Sequence, residues 1–185
     1  MAPRSTVFKA NLQIADMDRP YYQNHLLTLA RHPSETDERM MVRLLAFALY
    51  ACPNLTFGQG MSMEDEADVW QKDLTGAINL WIDVGTPEER LIRKACGRAK
   101  QVVLFCYGGS IADKWFTQHS QSLSRHKNLT IINVPLESTR TLAVFAERNM
   151  QLQCTIQDGQ LWFGNGNNSI QIEQTVLKKP SFRGY

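Results

Sequence analysis

Residues 101–107, QVVLFCY, run almost without a polar residue. That is the pattern of an interior parallel strand, which is covered on both faces and does not alternate. A parallel strand needs a crossover, and the preceding residues supply one. Residues 77–84 read as a strand, and Thr86-Pro87-Glu88-Glu89 follows with Thr86 as N-cap, Pro87 at the first helical position and Glu89 completing a capping box. The helix then carries LIRKACGRAK and weakens at Gly97. Strand, helix, strand is the core of an α/β chain, with the crossover expected to be right-handed.

The flanking segments extend this pattern. Phe8, Ala10, Leu12 and Ile14 alternate with polar residues, a turn falls at 16–20, and 22–31 returns as the second strand of an N-terminal hairpin. A helix opens after Pro33, capped by Ser34 or Thr36, with Asp37 and Glu38 in its first turn. Its apolar stripe is Met41, Val42, Leu45, Leu49 and Cys52; Glu38 falls on that stripe and points inward, whereas Arg39 and Arg43 fall on another face. Strand 69–72 joins 77–84 through the turn Asp73-Leu74-Thr75-Gly76. Ser110 to Asp113 caps a further helix, residues 129–134 form a buried strand and 138–148 a helix. Short strands follow at 152–156, 160–163 and 170–173, the first two joined by Asp158-Gly159. The expected architecture is a mixed β-sheet flanked by helices, with an N-terminal β-hairpin and C-terminal short strands. We read 1–185 as a single domain: hairpin 6–32, core about 33–135, and C-terminal helix and strands 136–175.

Composition excludes several classes. At 43% hydrophobic residues and a net charge of +2, disorder is not expected. The longest apolar run, 44–52, is half of what a membrane span needs, so no membrane partner is expected. The opening MAPRSTVFKANL holds no stretch of signal-peptide length. Cys52, Cys96, Cys106 and Cys154 fit neither a metal knuckle nor a disulfide framework. Buried reduced thiols in a cytoplasmic protein are the expectation.

The small net charge is the sum of separated patches. Glu64, Asp65, Glu66, Asp68 and Asp73 form an acidic block, and Arg90, Arg93, Lys94, Arg98 and Lys100 form a basic one without an acid between them. If Lys72 pairs with Ala77, Asp68 lies opposite Trp81 with Asp83 one diagonal step away, about 7–8 Å on the same face. Asn79, Trp81 and Asp83 then share that face, and Ile78, Leu80, Ile82 and Val84 fill the other. An acid in so apolar a strand requires a partner. A divalent cation, Mg²⁺ or Mn²⁺, is one such partner. The other is structural: Asp68 capping a strand start and Asp83 accepting backbone N–H bonds near Thr86. The pattern alone leaves both open.

Three blocks, ARHPSETDERMMVRLLAFALYA (30–51), EDEADVWQKDLTGAINLWIDVG (64–85) and RLIRKACGRAKQVV (90–103), resemble the YaeQ family of small bacterial proteins. That family is similar in fold to the PD-(D/E)XK, restriction-endonuclease-like nucleases. The resemblance implies a metal-dependent phosphodiester hydrolase acting on nucleic acid. Asp68 and Asp83 would be the metal-binding acids, with Ala67 where the motif has Pro, and Glu38 would orient the attacking water. The motif lysine should follow Asp83 by two residues, where this chain has Gly85. Lys94 on the following helix is the first replacement, with Lys100 and Arg98 behind it, and Arg90, Arg93, Arg98 and Lys100 would contact nucleic acid. Lys72 is discounted, lying roughly 20 Å from Asp83 at strand rise. The alternative from the Gly85 departure is a catalytically degenerate scaffold that binds nucleic acid or a protein, as in transcription. Neither the oligomeric state nor the identity of a protein partner follows from the sequence.

Overall fold

The computed structural model describes residues 4–60 and 63–181; the first residues of the opening segment and the outer limits of the expected domain lie outside these. The hairpin forms first along the chain. β1 (Thr6–Asp16) and β2 (Tyr21–Arg31) pair antiparallel, with Phe8, Ala10, Leu12 and Ile14 buried as their alternation requires. Asp16 closes the turn by accepting from the Asp18 and Arg19 N–H groups and from Arg19 Nε, while Arg19 also donates to the Ala51 carbonyl at the end of the first helix.

That helix, α1 (Asp37–Tyr50), is capped by Thr36, whose hydroxyl accepts from the Arg39 N–H. Such a cap contributes about 1 kcal/mol. Residues Met40 to Ala48 are all buried, so α1 is covered on every side rather than along one stripe. Arg43 is therefore interior, at 1% exposure, and not on a solvated face.

Two mixed sheets supply the covering. One has the order β10-β9-β8-β1-β2, from β8 (Asn149–Gln157), β9 (Gln160–Gly164) and β10 (Ser169–Ile172) with the hairpin. The other has the order β11-β7-β6-β5-β4-β3, from β3 (Leu55–Phe57), β4 (Val69–Lys72), β5 (Ile78–Val84), β6 (Ala99–Cys106), β7 (Leu129–Asn133) and β11 (Thr175–Lys178). The N-terminal hairpin and the strands from 149 to 172 meet in the first sheet, where β1 pairs with β8 in parallel. In the second, β5, β6 and β7 are parallel neighbours, as the apolar run at 101–107 requires, joined by α2 (Glu89–Arg98) and α3 (Ser110–Leu123).

One apolar cluster unites both sheets with α1 and α4 (Leu136–Val144), through residues such as Leu12, Leu45, Ile82, Phe105, Leu142 and Leu152. A second lies on the far face of the six-stranded sheet under α2 and α3, with Trp81, Ile92, Leu104, Ala112 and Leu123. Among the described residues the architecture is a mixed α/β fold with two mixed sheets and four helices. Among the described residues, no helix is long and apolar enough to cross a membrane.

Several local expectations are corrected. α2 begins two residues later than the capping box implies: Glu88 is its N-cap and Thr86 makes no cap. The Pro87 carbonyl instead accepts from the Trp115 indole at 3.2 Å. α3 starts at Ser110 with Gly109 as N-cap, so Ser110 is not the cap. The β4–β5 register also differs. Trp70 pairs with Trp81 and Val69 with Ile82, two residues away from the pairing expected, and the register slips between Gln71 and Lys72. Ile78 consequently packs in the far-face cluster with Trp81, not with Leu80, Ile82 and Val84. All four cysteines are free; Cys106 and Cys154 are buried, Cys52 and Cys96 half-buried.

Candidate functional site

The corrected register brings the two acids closer than the diagonal placement would. One step beyond the Val69–Ile82 pair, Asp68 stands across from Asp83, and the Asp68 N–H donates to Asp83 Oδ1 at 3.3 Å. Asp83 Oδ2 accepts from the Trp81 indole N–H at 2.8 Å. Asp68 Oδ2 accepts from the Val84 N–H at 2.8 Å, where β5 ends. Gly58 fixes the other side of Asp68: its N–H donates to the Asp68 carbonyl at 3.0 Å, and a Cβ at Gly58 would fall 1.9 Å from the Ala67 carbonyl oxygen. The acids thus sit at the carboxyl end of a parallel strand, where α/β sheets open to ligands.

A cleft of about 120 Å³ opens over them, lined by Arg39, Gly60, Met63, Glu64, Glu66, Asp68, Trp81, Asp83, Val84, Pro87 and Leu91. Among these described residues Arg39 is the sole cation, against the carboxylates of Glu64, Glu66, Asp68 and Asp83. The cleft is acidic at its floor. Burial, and then the Asp68 charge, push the Asp83 carboxyl up to about 7, against the Trp81 and Asp68 N–H bonds and Arg39.

Arg39 lies on a different face from Glu38, as the spacing requires, but that face is covered and points into the cleft. Its Nη2 donates to both oxygens of Asp68, at 3.0 and 2.8 Å, and to the Val84 carbonyl at 3.2 Å. Its Nη1 donates to Glu35 at 2.9 Å. The Glu35 side chain is fully buried and also accepts from Arg43 Nε at 2.8 Å and Nη2 at 2.7 Å. Glu35, Arg39 and Arg43 follow one another at four-residue spacing, with Glu35 just before the N-cap and both arginines on one face of α1. That spacing was the available signal.

The other expected site residues are dispersed. Glu38 faces α4, where Oε1 accepts from the buried Thr139 hydroxyl at 2.6 Å, and it does not line the cleft. Lys94 is ion-paired with Asp65, whose carboxyl the ammonium holds below the usual range. Arg98 donates to the Asp65 carbonyl at 2.9 Å and lies over the Trp81 ring, 5.2 Å from its centroid. Arg90 pairs with Glu64 at 3.3 Å, while Arg93 and Lys100 are exposed. Lys72 stacks on Trp70, its Nζ 3.7 Å from the ring centroid. Gly85 leaves the strand at a φ of +110°, a conformation that a lysine side chain would strain. Burial pushes the Cys96 and Cys106 thiols up to about 11, so neither is a poised nucleophile.

A covered helix between two mixed sheets, with facing acids at a strand end, defines an α/β protein with an acidic cleft. The family profile described as "YaeQ protein" matches residues 1–174, and the chain belongs to the YaeQ family. It is 43% identical over 181 residues to a protein of Salmonella typhi described as uncharacterized protein YaeQ, covering 98% of this chain and 100% of that one. The corresponding protein of Escherichia coli K12 is 41% identical over the same length. The crystal structure of YaeQ from Xanthomonas axonopodis pv. citri superposes with a TM-score of 0.91 at 46% identity, covering 95% of this chain and 99% of that one. YaeQ from Pseudomonas syringae gives 0.90 at 32% identity, covering 95% and 97%.

Proposed function

We propose that this protein is a nuclease-like, divalent-metal-dependent phosphodiesterase acting on nucleic acid, with Asp68 and Asp83 holding Mg²⁺ or Mn²⁺. The observation that carries the reading is the facing of these two acids at the floor of a cleft with four carboxylates and one guanidinium. Such a charge balance attracts a cation first, and a phosphate only with it. Among the described residues no three His, Cys, Asp or Glu side chains converge on one point. Mg²⁺ does not need such a cage; it is commonly held by one or two carboxylates and keeps its waters. The pair therefore fits a Mg²⁺-type ion, provided Arg39 leaves Asp68. A cation there would polarise a phosphoryl oxygen.

The chain's own residues supply the rest. Trp81 and the Asp68 N–H orient Asp83, and Arg90, paired with the lining Glu64, and Arg98, over the lining Trp81, offer charge beside the cleft for a phosphate backbone; Lys100 begins β6 at the far end of β5, beside the Asp73 turn, and is left out. Glu38 and Lys94 are left out of the assignment, because Thr139 and Asp65 hold them. The resemblance to PD-(D/E)XK nucleases read from the sequence would call for a pair of acids in these positions. A second reading, a scaffold that binds nucleic acid without cutting it, is favoured by Gly85 and by the Arg39–Asp68 ion pair.

Purified protein assayed on single- and double-stranded DNA and RNA with Mg²⁺ or Mn²⁺, beside Asp68→Ala and Asp83→Ala, separates the two. Cleavage lost in both variants supports the enzyme. Cleavage that survives both overturns it. Salt-sensitive binding without cleavage supports the scaffold.

A further inference from the structure

We infer that Arg39 is a built-in counter-ion that competes with the divalent cation for Asp68 and, once displaced, turns to the bound phosphodiester. This rests on the metal site proposed above and adds the order in which that site fills.

Arg39 is anchored independently of the acid pair. Glu35 holds Nη1, and Glu35 is itself held at both oxygens by Arg43, whose side chain is 1% exposed. Nη2 alone engages Asp68. A guanidinium and a divalent cation cannot both sit at hydrogen-bonding distance from the same carboxylate oxygens without repelling each other. Cation binding therefore breaks the Nη2–Asp68 bonds. The Glu35 tether keeps the released end at the cleft wall, beside the Val84 carbonyl.

The freed Nη2 loses its charged partner and keeps only the Val84 carbonyl. The Arg39 side chain is 15% exposed, and a largely desolvated cation that loses a carboxylate partner is costly. An anion entering the cleft supplies the acceptor in the geometry that a guanidinium favours. Cation and phosphodiester then help each other bind, and linkage makes the effect reciprocal. Either ligand alone meets a closed site: the cation finds Asp68 already neutralised, and the phosphate finds an acidic floor.

Mn²⁺ titrations, read by the electron paramagnetic resonance signal of the free ion, test this without any turnover. They would use wild type, Arg39→Gln, Arg39→Lys and Asp68→Ala, each with and without dimethyl phosphate. Arg39→Gln should bind Mn²⁺ alone about tenfold more tightly than wild type, with Arg39→Lys between them. Dimethyl phosphate should tighten Mn²⁺ binding about fivefold or more in wild type and leave Arg39→Gln unchanged. Thermal melting of each variant checks the fold, and Arg39→Lys carries the comparison if the Gln variant unfolds. Equal Mn²⁺ affinity in wild type and both Arg39 variants, with binding abolished in Asp68→Ala, overturns the inference and leaves the metal site standing. No Mn²⁺ binding in wild type or either Arg39 variant, with or without dimethyl phosphate, overturns both.

Discussion

Asp83 carries an ionisation cost that an amide in its place would not. Burial and the Asp68 charge raise its carboxyl from 3.8 to about 7. Between those values the folded protein holds more protons than the unfolded chain, so stability falls as pH rises through the window and levels off above it. At about 1.4 kcal/mol per pH unit the whole shift amounts to roughly 4 kcal/mol, of which roughly 2–3 kcal/mol falls between about pH 5 and about pH 8. Water reaches the half-buried side chain from the cleft, which reduces the expected loss over that interval to about 1–2 kcal/mol. Asp83→Asn removes it. The amide keeps one acceptor oxygen for two donors, Trp81 and the Asp68 N–H, and so loses about 1 kcal/mol at every pH. Comparing two pH values cancels that constant. Urea unfolding in EDTA should therefore show the Asn variant gaining on wild type by about 1–2 kcal/mol from pH 5 to pH 8. A difference that stays constant with pH, or that moves in the opposite direction, would refute the account of Asp83.

Glu35→Ala strands Arg43 in the core and frees Arg39 at one end, and should cost about 3–5 kcal/mol in urea unfolding; a loss under about 1 kcal/mol would show that the row is not coupled. Gly58→Ala sets a methyl against the Ala67 carbonyl, and the backbone shift should cost about 1–3 kcal/mol or more, with Asp68 moved from Asp83 in a crystal structure of the variant. Thr139→Val keeps shape but removes the hydroxyl that donates to Glu38, and should lower stability by about 1.5–3 kcal/mol without changing Mn²⁺ affinity, because Glu38 lies outside the cleft.

What was legible in the sequence is what local chemistry decides. The hairpin alternation, the Thr36 cap, the apolar strand at 101–107 and the Asp158-Gly159 turn, whose residues have φ of +52° and +74°, all lie where their patterns put them. The convergence of Asp68 and Asp83 was legible too, though not its register. Asp73 accepts from the Thr75 and Ala77 N–H groups, Lys72 pairs with Ile78 instead of Ala77, and the slip beside Lys72 adds one residue more, which a count of turn residues cannot detect. β3 and β11 are short edge strands with no periodicity to read. The harder loss is α1. Two arginines one turn apart give no sign of burial, and only the five-stranded sheet, assembled from the N-terminal hairpin and the C-terminal strands, turns that face inward. Glu35 is the residue that makes such burial tolerable, and it lies just outside the helix.

The five-stranded sheet contributes no residue to the acid pair, yet it determines where Arg39 is held. Arg43 donates to the Ala30 carbonyl at the end of β2, and its guanidinium lies over Phe57, 5.9 Å from the ring centroid. β2 is held by β1, and β1 by β8. Behind Glu35, then, stands a wall built from the N-terminal hairpin and the strands from 149 to 172, while the acids in front of it belong to the six-stranded sheet. Arg39 spans the two as the link between a rigid anchor and an acidic floor. A cation bound at that floor displaces Nη2 alone, and the anchor keeps Nη1 at the cleft wall. In this arrangement the outer sheet acts on the site through Arg43 and Glu35 rather than through contact with a ligand.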